Sequence, residues 1–107
     1  CEELCAPEFI PYWKNQAQIA AAGKEWVDCN ALGVSKWTAI SYLMEQFGFS
    51  EDEVCVFGDN LNDIEMLEHA GTSYAVSNAR PEVIRAAKYT CAPYWESGVL
   101  QVLKEFL

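Results

Sequence analysis

The sequence predicts an α/β fold in which a Rossmann-like parallel sheet is flanked by helices. From about residue 35 onward, short apolar runs alternate with segments of helical periodicity, a pattern typical of parallel sheets. The predicted strands are the runs at 54–57, 73–76 and 89–91. The first run ends in Gly58 and is followed at once by a cluster of oxygen-bearing side chains. Ligand sites of such sheets lie beyond the carboxyl ends of the strands, so this junction is the predicted site.

The helix before the first strand has clear start and stop signals. Ser35 is a predicted N-cap, and Gly48 occupies the left-handed position that commonly ends a helix. The apolar positions of this helix share one face at helical spacing: Ile40, Leu43, Met44 and Phe47. Ser50, followed three residues later by Glu53, predicts a capping box for a short turn that leads into the first strand.

The remaining helices follow the strands. One is predicted over residues 61–69, and the next begins at Pro81, a residue suited to the first helical position, and extends to about Lys88. Ser97 is predicted to cap the last helix. The apolar positions of that helix are Leu100, Leu103 and Leu107.

The start of the chain is less regular. Residues 1–18 mix aromatic, proline and charged residues without a clear period, and residues 25–30 are predicted as a strand. The chain begins at Cys1 rather than at a methionine, so we expect it to be a piece of a longer protein.

Composition limits the classes of function. With 107 residues and 51% hydrophobic side chains, the chain is expected to form one small globular domain. A net charge of −9 argues against nucleic acid or an anionic membrane as the main partner. A phosphorylated small molecule stays compatible, because a bound metal ion reverses the charge of a pocket. No segment is long and apolar enough to span a membrane, and no signal peptide is visible.

The cysteines indicate a reducing environment. Five are present, an odd number without a Cys-x-x-Cys pair, which disfavours a zinc site or a redox motif. Cys55 lies within an apolar strand, where a free thiol acts as a small hydrophobic side chain. These features predict a cytoplasmic location.

Asp59 is the predicted metal ligand. It directly follows the first strand, and Mg²⁺ prefers oxygen ligands together with phosphate oxygens of a substrate. Asn62 and Asp63 come three and four residues later and share a face of the opening helical turn. The competing interpretation is structural, with Asp59 as a helix N-cap and Asp63 as a complement to the helix dipole.

Lys36 is the predicted phosphate contact. The helix dipole opposes a cation in the first turn, while the exposed N–H groups at that end attract anions, so the two together suggest a bound phosphate. Taken alone, a solvated surface lysine is the simpler interpretation. Asn78 follows the second strand and either lines the same crevice or serves as a turn residue. His69 is interpreted as structural, and Trp37 as a packing residue or a wall of the site.

Three segments in order resemble the haloacid dehalogenase (HAD) superfamily, and specifically its Cof-type phosphatases. Residues 33–36 (GVSK) are similar to the lysine motif, and residues 57–67 (FGDNLNDIEML) are similar to the more specific acidic motif. Residues 76–87 are similar to the strand, loop and helix that follow in the family. The resemblance covers roughly residues 26–107 and implies a HAD-like fold.

The resemblance implies a role for each candidate residue. Lys36 would hold the substrate phosphate, and Asp59 would ligate Mg²⁺. Asn62 would contact phosphate, and Asp63 would support the acidic loop or the metal. Asn78 would contact the substrate or orient its neighbours. Lys36, Asp59 and Asp63 are therefore the implied catalytic residues, with both aspartates assigned to the metal.

The nucleophile of the family has no counterpart in this chain. The resemblance implies an aspartate in an Asp-x-Asp motif, and nothing before Lys36 has that form. Residues 1–30 are therefore expected to be the end of the cap region and the return strand. Residues 31–107 are expected to be the C-terminal part of the core domain, so the fold lacks its N-terminal strands and most of the cap.

The implied function is that of the C-terminal part of a Mg²⁺-dependent HAD-type phosphatase that hydrolyses phosphomonoesters of small molecules through a phospho-aspartate. The chain alone is expected to be inactive. The alternative is a non-catalytic binding or interaction module that retains half of a HAD-like fold. Because the sheet lacks the strands beside residues 54–57, a homodimer through the exposed edge is also expected.

Overall fold

The computed structural model describes residues 6–21 and 27–107, and that part of the chain forms helices around two sheets. The helices are α1 (Ala6–Trp13), α2 (Lys36–Phe47), α3 (Ile64–His69), α4 (Pro81–Ala86) and α5 (Gly98–Glu105). The strands are β1 (Gln18–Ala21), β2 (Val27–Asn30), β3 (Cys55–Gly58), β4 (Thr72–Val76) and β5 (Tyr89–Cys91). Short 3₁₀ turns occupy Glu51–Glu53, Leu61–Asp63 and Tyr94–Glu96.

The strands form an antiparallel hairpin and a parallel sheet. β1 pairs with β2, so that Gln18 lies opposite Asn30. In the other sheet the order is β3-β4-β5, and both neighbouring pairs are parallel. Parallel neighbours joined through α3 and α4 confirm the predicted α/β, Rossmann-like architecture.

Side chains of the parallel sheet alternate between two apolar clusters, one on each face. On one face, Val56 and Ala75 pack with residues of α2, α3 and α4. On the other face, Val76 packs with Cys91 and with Val102 of α5. Helices therefore cover both faces of the sheet, which explains why its strands read as nearly continuous apolar runs.

Most of the local signals are confirmed. Gly48 has a φ of 74° and ends α2, and Pro81 is the first residue of α4. The carboxylate of Glu53 accepts a hydrogen bond from the Ser50 N–H at 2.9 Å, as a capping box requires. Each strand of the parallel sheet lies within one residue of its predicted bounds. The helix predicted from Pro81 ends at Ala86, earlier than expected.

The apolar face predicted for α2 was only partly right. Ile40 and Met44 pack toward the core beside the buried Trp37. Leu43 and Phe47 are exposed, because no element in the described part of the chain covers that side of the helix. The spacing of apolar residues indicates which of them share a face of the helix. The elements that pack against the helix determine how much of that face is buried.

Ser97 occupies the N-cap position of α5, as predicted, but its side chain does not cap the helix. Ser97 has a left-handed backbone with a φ of 57°, and its side chain makes no capping hydrogen bond. Close packing restricts the start of α5, since a Cβ added to Gly98 would lie 1.8 Å from the carbonyl oxygen of Ala92. Val99 and Val102 form the inward face. The predicted apolar positions are exposed: Leu100, Leu103 and Leu107.

The first part of the chain contains a helix that the sequence did not reveal. α1 forms where no period was visible, and it contains Pro11. β2 confirms the predicted strand over Val27–Asn30. Glu25 and Trp26, which belonged to the same prediction, lie outside the described residues.

Leu67 provides a test of where the core lies. Its side chain is fully buried, so Leu67→Ala should lower the free energy of unfolding by about 2–5 kcal/mol. Leu100→Ala is the matched control, because Leu100 is 52% exposed and its truncation should cost less than about 1 kcal/mol. Urea unfolding followed by circular dichroism measures both. Equal losses for the two variants would contradict this assignment of the core.

Candidate active site

The start of α2 places Lys36 in the first turn of that helix. The hydroxyl of Ser35 accepts a hydrogen bond from the Thr38 N–H at 3.2 Å, and the Thr38 hydroxyl oxygen accepts one from the Ser35 N–H at 2.8 Å. These reciprocal bonds satisfy backbone donors that the first helical turn leaves free, and they fix the direction of the helix. The predicted Ser35 cap is therefore confirmed.

The segment after β3 is organised by Asp63. Its Oδ2 atom accepts hydrogen bonds from the N–H groups of Asp59 at 2.9 Å and Asn60 at 3.1 Å. The Asn60 side chain in turn accepts from the Leu61 N–H at 2.9 Å. These bonds close the 3₁₀ turn directly after the strand, so the helix predicted from residue 61 begins with that turn.

Gly58 permits this arrangement by the absence of a side chain. A Cβ at this position would lie 2.6 Å from the Cβ of Asp63 and 3.0 Å from a methyl group of Leu67. Any larger residue would therefore push Asp63 away from the loop that it holds. The glycine that ends the predicted strand thus has a steric role.

Lys36 and Asp63 form an ion pair across 27 positions of the chain. Lys36 Nζ donates to Asp63 Oδ1. The lysine side chain is 49% exposed, whereas the aspartate side chain is 3% exposed. The buried Asp63 carboxylate therefore holds a lysine whose side chain is partly exposed to solvent. Both residues were candidate site residues on the basis of the sequence, but the sequence did not indicate that they contact each other.

The buried carboxylate of Asp63 stays ionised at neutral pH. Burial by itself raises the pKa of Asp63, but hydrogen bonds from Lys36, Asp59 and Asn60 together outweigh it and lower the pKa below its ordinary value. The charge on Asp63 in turn restrains the Lys36 ammonium group.

Asp59 lies at the carboxyl end of β3 with an exposed side chain. Within the described residues, its carboxylate has no hydrogen-bond or ion-pair partner. It lines a cavity of about 230 Å³ together with Asn78. The Asn78 side-chain oxygen accepts a hydrogen bond from the Tyr94 N–H at 3.1 Å, so Asn78 also holds the loop before α5. The expected convergence of Asp59 and Asn78 is thus observed.

Asn62 faces a second, larger cavity of about 540 Å³ that Lys36 also lines. The β1–β2 hairpin forms the opposite wall, with Gln18 and Asp28 among its residues. Asn62 Nδ2 donates to Asp28 Oδ2 at 3.2 Å. Sequence reasoning did not identify Asp28, because an acid on a short strand carries no motif.

The oxygen ligands present suit Mg²⁺ only in part. No group of three or more His, Cys, Asp or Glu side chains in the described ranges is arranged to hold a metal ion. Among the residues that the structure describes, none pairs with the Asp59 carboxylate, whereas both oxygens of Asp63 accept hydrogen bonds. Mg²⁺ sites commonly use one or two carboxylates completed by water and phosphate oxygens, so Asp59 fits such a site as a single protein ligand.

Trp37 lies behind the site rather than in the larger cavity. Its ring stacks on His69 with centroids 5.1 Å apart and planes at 12°. This contact joins α2 to the end of α3, so both aromatic side chains have packing roles. The structural interpretation of His69 agrees with this position.

Comparison with known proteins gives the family. The family model for haloacid dehalogenase-like hydrolases matches residues 2–103. The chain belongs to that family. The resemblance of residues 33–36 and 57–67 to the HAD superfamily is therefore confirmed.

Individual relatives agree with this HAD assignment. The chain is 41% identical over 85 residues to the 5-amino-6-(5-phospho-D-ribitylamino)uracil phosphatase YbjI of Escherichia coli, covering 79% of this chain and 31% of that protein. It superposes on a crystal structure from Eubacterium rectale with a TM-score of 0.82 at 75% identity, covering 100% of this chain and 40% of the other. A HAD/COF-like hydrolase from Plasmodium vivax gives a TM-score of 0.89 at 32% identity, with coverages of 94% and 36%.

This HAD chain spans less than half the length of the two relatives described first. It spans 31% of the Escherichia coli phosphatase and 40% of the Eubacterium rectale structure. In the described part of the chain, no helix has the length and apolar character needed to cross a membrane.

The lowered pKa of Asp63 makes stability depend on pH. Ionised Asp63 stabilises the folded HAD chain fully above the ordinary aspartate pKa of about 3.9, and this contribution is lost as the pH falls through the lower folded-state pKa. Asp63→Asn should therefore lower the free energy of unfolding by about 1–3 kcal/mol at pH 6, and the difference should shrink below about pH 4.

Urea unfolding in EDTA at several pH values measures this difference. Asp52→Asn is the control, because Asp52 is exposed and its side chain anchors no loop. A gap between the wild type and Asp63→Asn that stays constant down to pH 2 would show that the carboxylate charge is not responsible.

Proposed function

We propose that the protein is a Mg²⁺-dependent phosphatase that hydrolyses phosphomonoesters of small molecules, and that this chain supplies the phosphate-holding half of the active site. The observation that carries the proposal is the pairing of Lys36 with the buried Asp63 beside the strand-end Asp59. Relatives named as phosphatases support it. The same pairing on an exposed surface would suggest only an ordinary ion pair.

Lys36 is proposed to hold the phosphate of the substrate. Its side chain is half exposed, and its ammonium group carries three donors, of which Asp63 accepts one. It also lies at the N-terminus of a 12-residue helix, where backbone dipoles favour an anion. The lysine and the helix N-terminus therefore both stabilise the negative charge of the same phosphate group. Stabilisation of this charge is what phosphoryl transfer requires.

Asp59 is proposed to hold the Mg²⁺ ion. When bound, Mg²⁺ neutralises negative charge on the phosphoryl group. Direct ligation by Asp63 stays a prediction. Because both Asp63 oxygens already accept hydrogen bonds, we propose that it acts mainly by restraining Lys36 and the Asp59 backbone.

Asn62 and Asn78 are proposed to contact the substrate from different cavities. Asn62 lines the space that Lys36 faces, which supports a contact with phosphate. Asn78 lines the space beside Asp59, and its bond to the Tyr94 N–H supports an additional role in holding that loop. The contact of Asn78 with substrate stays a prediction.

The nucleophile is proposed to belong to another part of the whole protein. An aspartate there would attack phosphorus and displace the alcohol of the ester. Water would then hydrolyse the phospho-aspartate, which releases inorganic phosphate and regenerates the aspartate. Residues 1–30 are proposed to end the cap region, and residues 31–107 to complete the core domain. The small share of these two relatives that the chain spans supports a nucleophile in another part of the protein.

A cytoplasmic location is proposed on the basis of the cysteines. Cys29, Cys55 and Cys91 are free thiols. Burial raises the pKa of Cys55 and Cys91, so both stay protonated at neutral pH and pack as apolar groups. Free thiols of this kind are typical of reducing compartments.

Phosphatase activity in the full-length protein tests the proposed function. Lys36→Met and Asp59→Asn should each lower kcat/KM for p-nitrophenyl phosphate by about 10²-fold or more. The first removes a cation from the phosphoryl group, and the second removes the carboxylate that is proposed to hold Mg²⁺. Lys104→Met is the matched control for loss of a lysine, since Lys104 lies on α5. EDTA should abolish the activity and Mg²⁺ should restore it.

Two results would contradict the proposal. Full activity in Asp59→Asn would exclude the assigned metal role. A wild-type protein that binds inorganic phosphate but hydrolyses no phosphomonoester would favour the non-catalytic binding module instead.

The 107-residue chain alone should release no phosphate from p-nitrophenyl phosphate, because it lacks the proposed nucleophile. A colorimetric phosphate assay with millimolar Mg²⁺ checks this expectation. Activity of the isolated chain that Asp59→Asn abolishes would show that the site is complete without further residues.

The isolated chain is also proposed to form a homodimer through β3. This strand pairs with β4 on one side, and no described strand pairs with its other edge. Unpaired backbone groups at such an edge bind a further strand readily. Light scattering at micromolar concentration should give twice the monomer mass of 12.0 kDa. A monomeric mass would contradict pairing through this edge.

A further inference from the structure

We propose that Asp28 is a positioning residue, whose carboxylate fixes the side-chain amide of Asn62 in the orientation that presents an N–H group to phosphate. The inference rests on the proposed function, because the phosphate contact of Asn62 belongs to it. It gives a role to the β1–β2 hairpin, which is otherwise only the opposite wall of the cavity.

Asp28 contacts Asn62 across 34 positions of the chain. Asn62 Nδ2 donates to Asp28 Oδ2 at 3.2 Å, and the contact is partly buried. Both side chains line the cavity of about 540 Å³ that Lys36 also lines. The hydrogen bond therefore lies in the wall of the proposed phosphate site and not on a remote surface.

The chemistry of the two groups fixes the orientation of the amide. An ionised carboxylate only accepts hydrogen bonds, so Asn62 must turn its NH₂ group, and not its oxygen, toward Asp28. Because the amide is planar, donation of one hydrogen to Asp28 also fixes the direction of the second hydrogen. Without Asp28 the amide is free to turn over and present its oxygen, which a phosphate anion repels.

A carboxylate beside a phosphate site carries an electrostatic cost. Asp28 repels an anion in the same cavity, so a residue suited only to anion binding would not be acidic here. Lys36 shows the same arrangement, since it is a phosphate-facing donor held by the carboxylate of Asp63. In both pairs, the carboxylate orients a hydrogen-bond donor.

Kinetics of the full-length protein test this role. Asp28→Ala should lower kcat/KM for p-nitrophenyl phosphate with Mg²⁺ by about tenfold, and should raise the inhibition constant of inorganic phosphate by a similar factor. Asp28→Asn offers an NH₂ donor as well as an acceptor oxygen, so it no longer dictates the orientation of the Asn62 amide and should give an activity between those of Asp28→Ala and the wild type. Glu65→Ala is the charge-matched control, because Glu65 lines the same cavity and no hydrogen bond joins it to Asn62. Its effect should be smaller.

A double-mutant cycle separates positioning from folding. In an Asn62→Ala background, Asp28→Ala should cause little further loss, because the amide that it orients is gone. The proposal is overturned if Asp28→Ala equals the wild type, or if the full tenfold loss persists without Asn62.

A spectroscopic measurement distinguishes this outcome from failure of the proposed function. A wild-type protein without phosphatase activity would refute the proposed function alone. The Asn62 side-chain amide resonances in ¹⁵N-labelled full-length protein report the Asp28 contact without any turnover. Asp28→Ala should shift them more than Glu65→Ala does, and an unshifted pair in Asp28→Ala overturns the inference by itself.

Discussion

The ion pair between Lys36 and Asp63 connects the two halves of the candidate site. One partner belongs to the first turn of α2, and the other follows β3, so the pair fixes a helix start against a strand end. Three donors converge on a carboxylate that is almost fully buried, and they compensate for its loss of water. The lysine side chain stays half exposed. A buried anchor and an exposed cation together give a charged group that is held in place and is still accessible to an anion.

Steric and backbone constraints support this pair. Gly58 leaves room for the side chain of Asp63, and the N–H groups of Asp59 and Asn60 hold its other oxygen. Asp59 is thereby fixed through its backbone while its carboxylate stays exposed. The site thus separates two tasks between two aspartates. The buried carboxylate of Asp63 anchors the loop, whereas the carboxylate of Asp59 is exposed, so two aspartates of one motif differ in their surroundings.

The parallel sheet and α2 form one side of the candidate site, and the β1–β2 hairpin forms the opposite wall. Asp28 belongs to β2 and bonds to Asn62 after β3, although the two strands lie in different sheets. The described part of the chain pairs only one edge of β3. Side chains on α2 and α5 that sequence periodicity assigned to a core are exposed for a related reason, since burial requires an opposing element. The free edge of β3 and the exposed leucines thus both lie where no element of the described residues packs against them.

The sequence by itself determined the fold class, the strands of the parallel sheet and the candidate residues around Asp59. Apolar runs, glycines and capping residues act locally, so their signals can be read in order along the chain. It did not reveal α1, the left-handed Ser97 or the contact between Asp28 and Asn62. Those features depend on which segments pack against each other. Only the tertiary structure joined Lys36 to Asp63, because a contact across 27 positions arises from the packing of α2 beside β3 and leaves no periodic trace in the sequence.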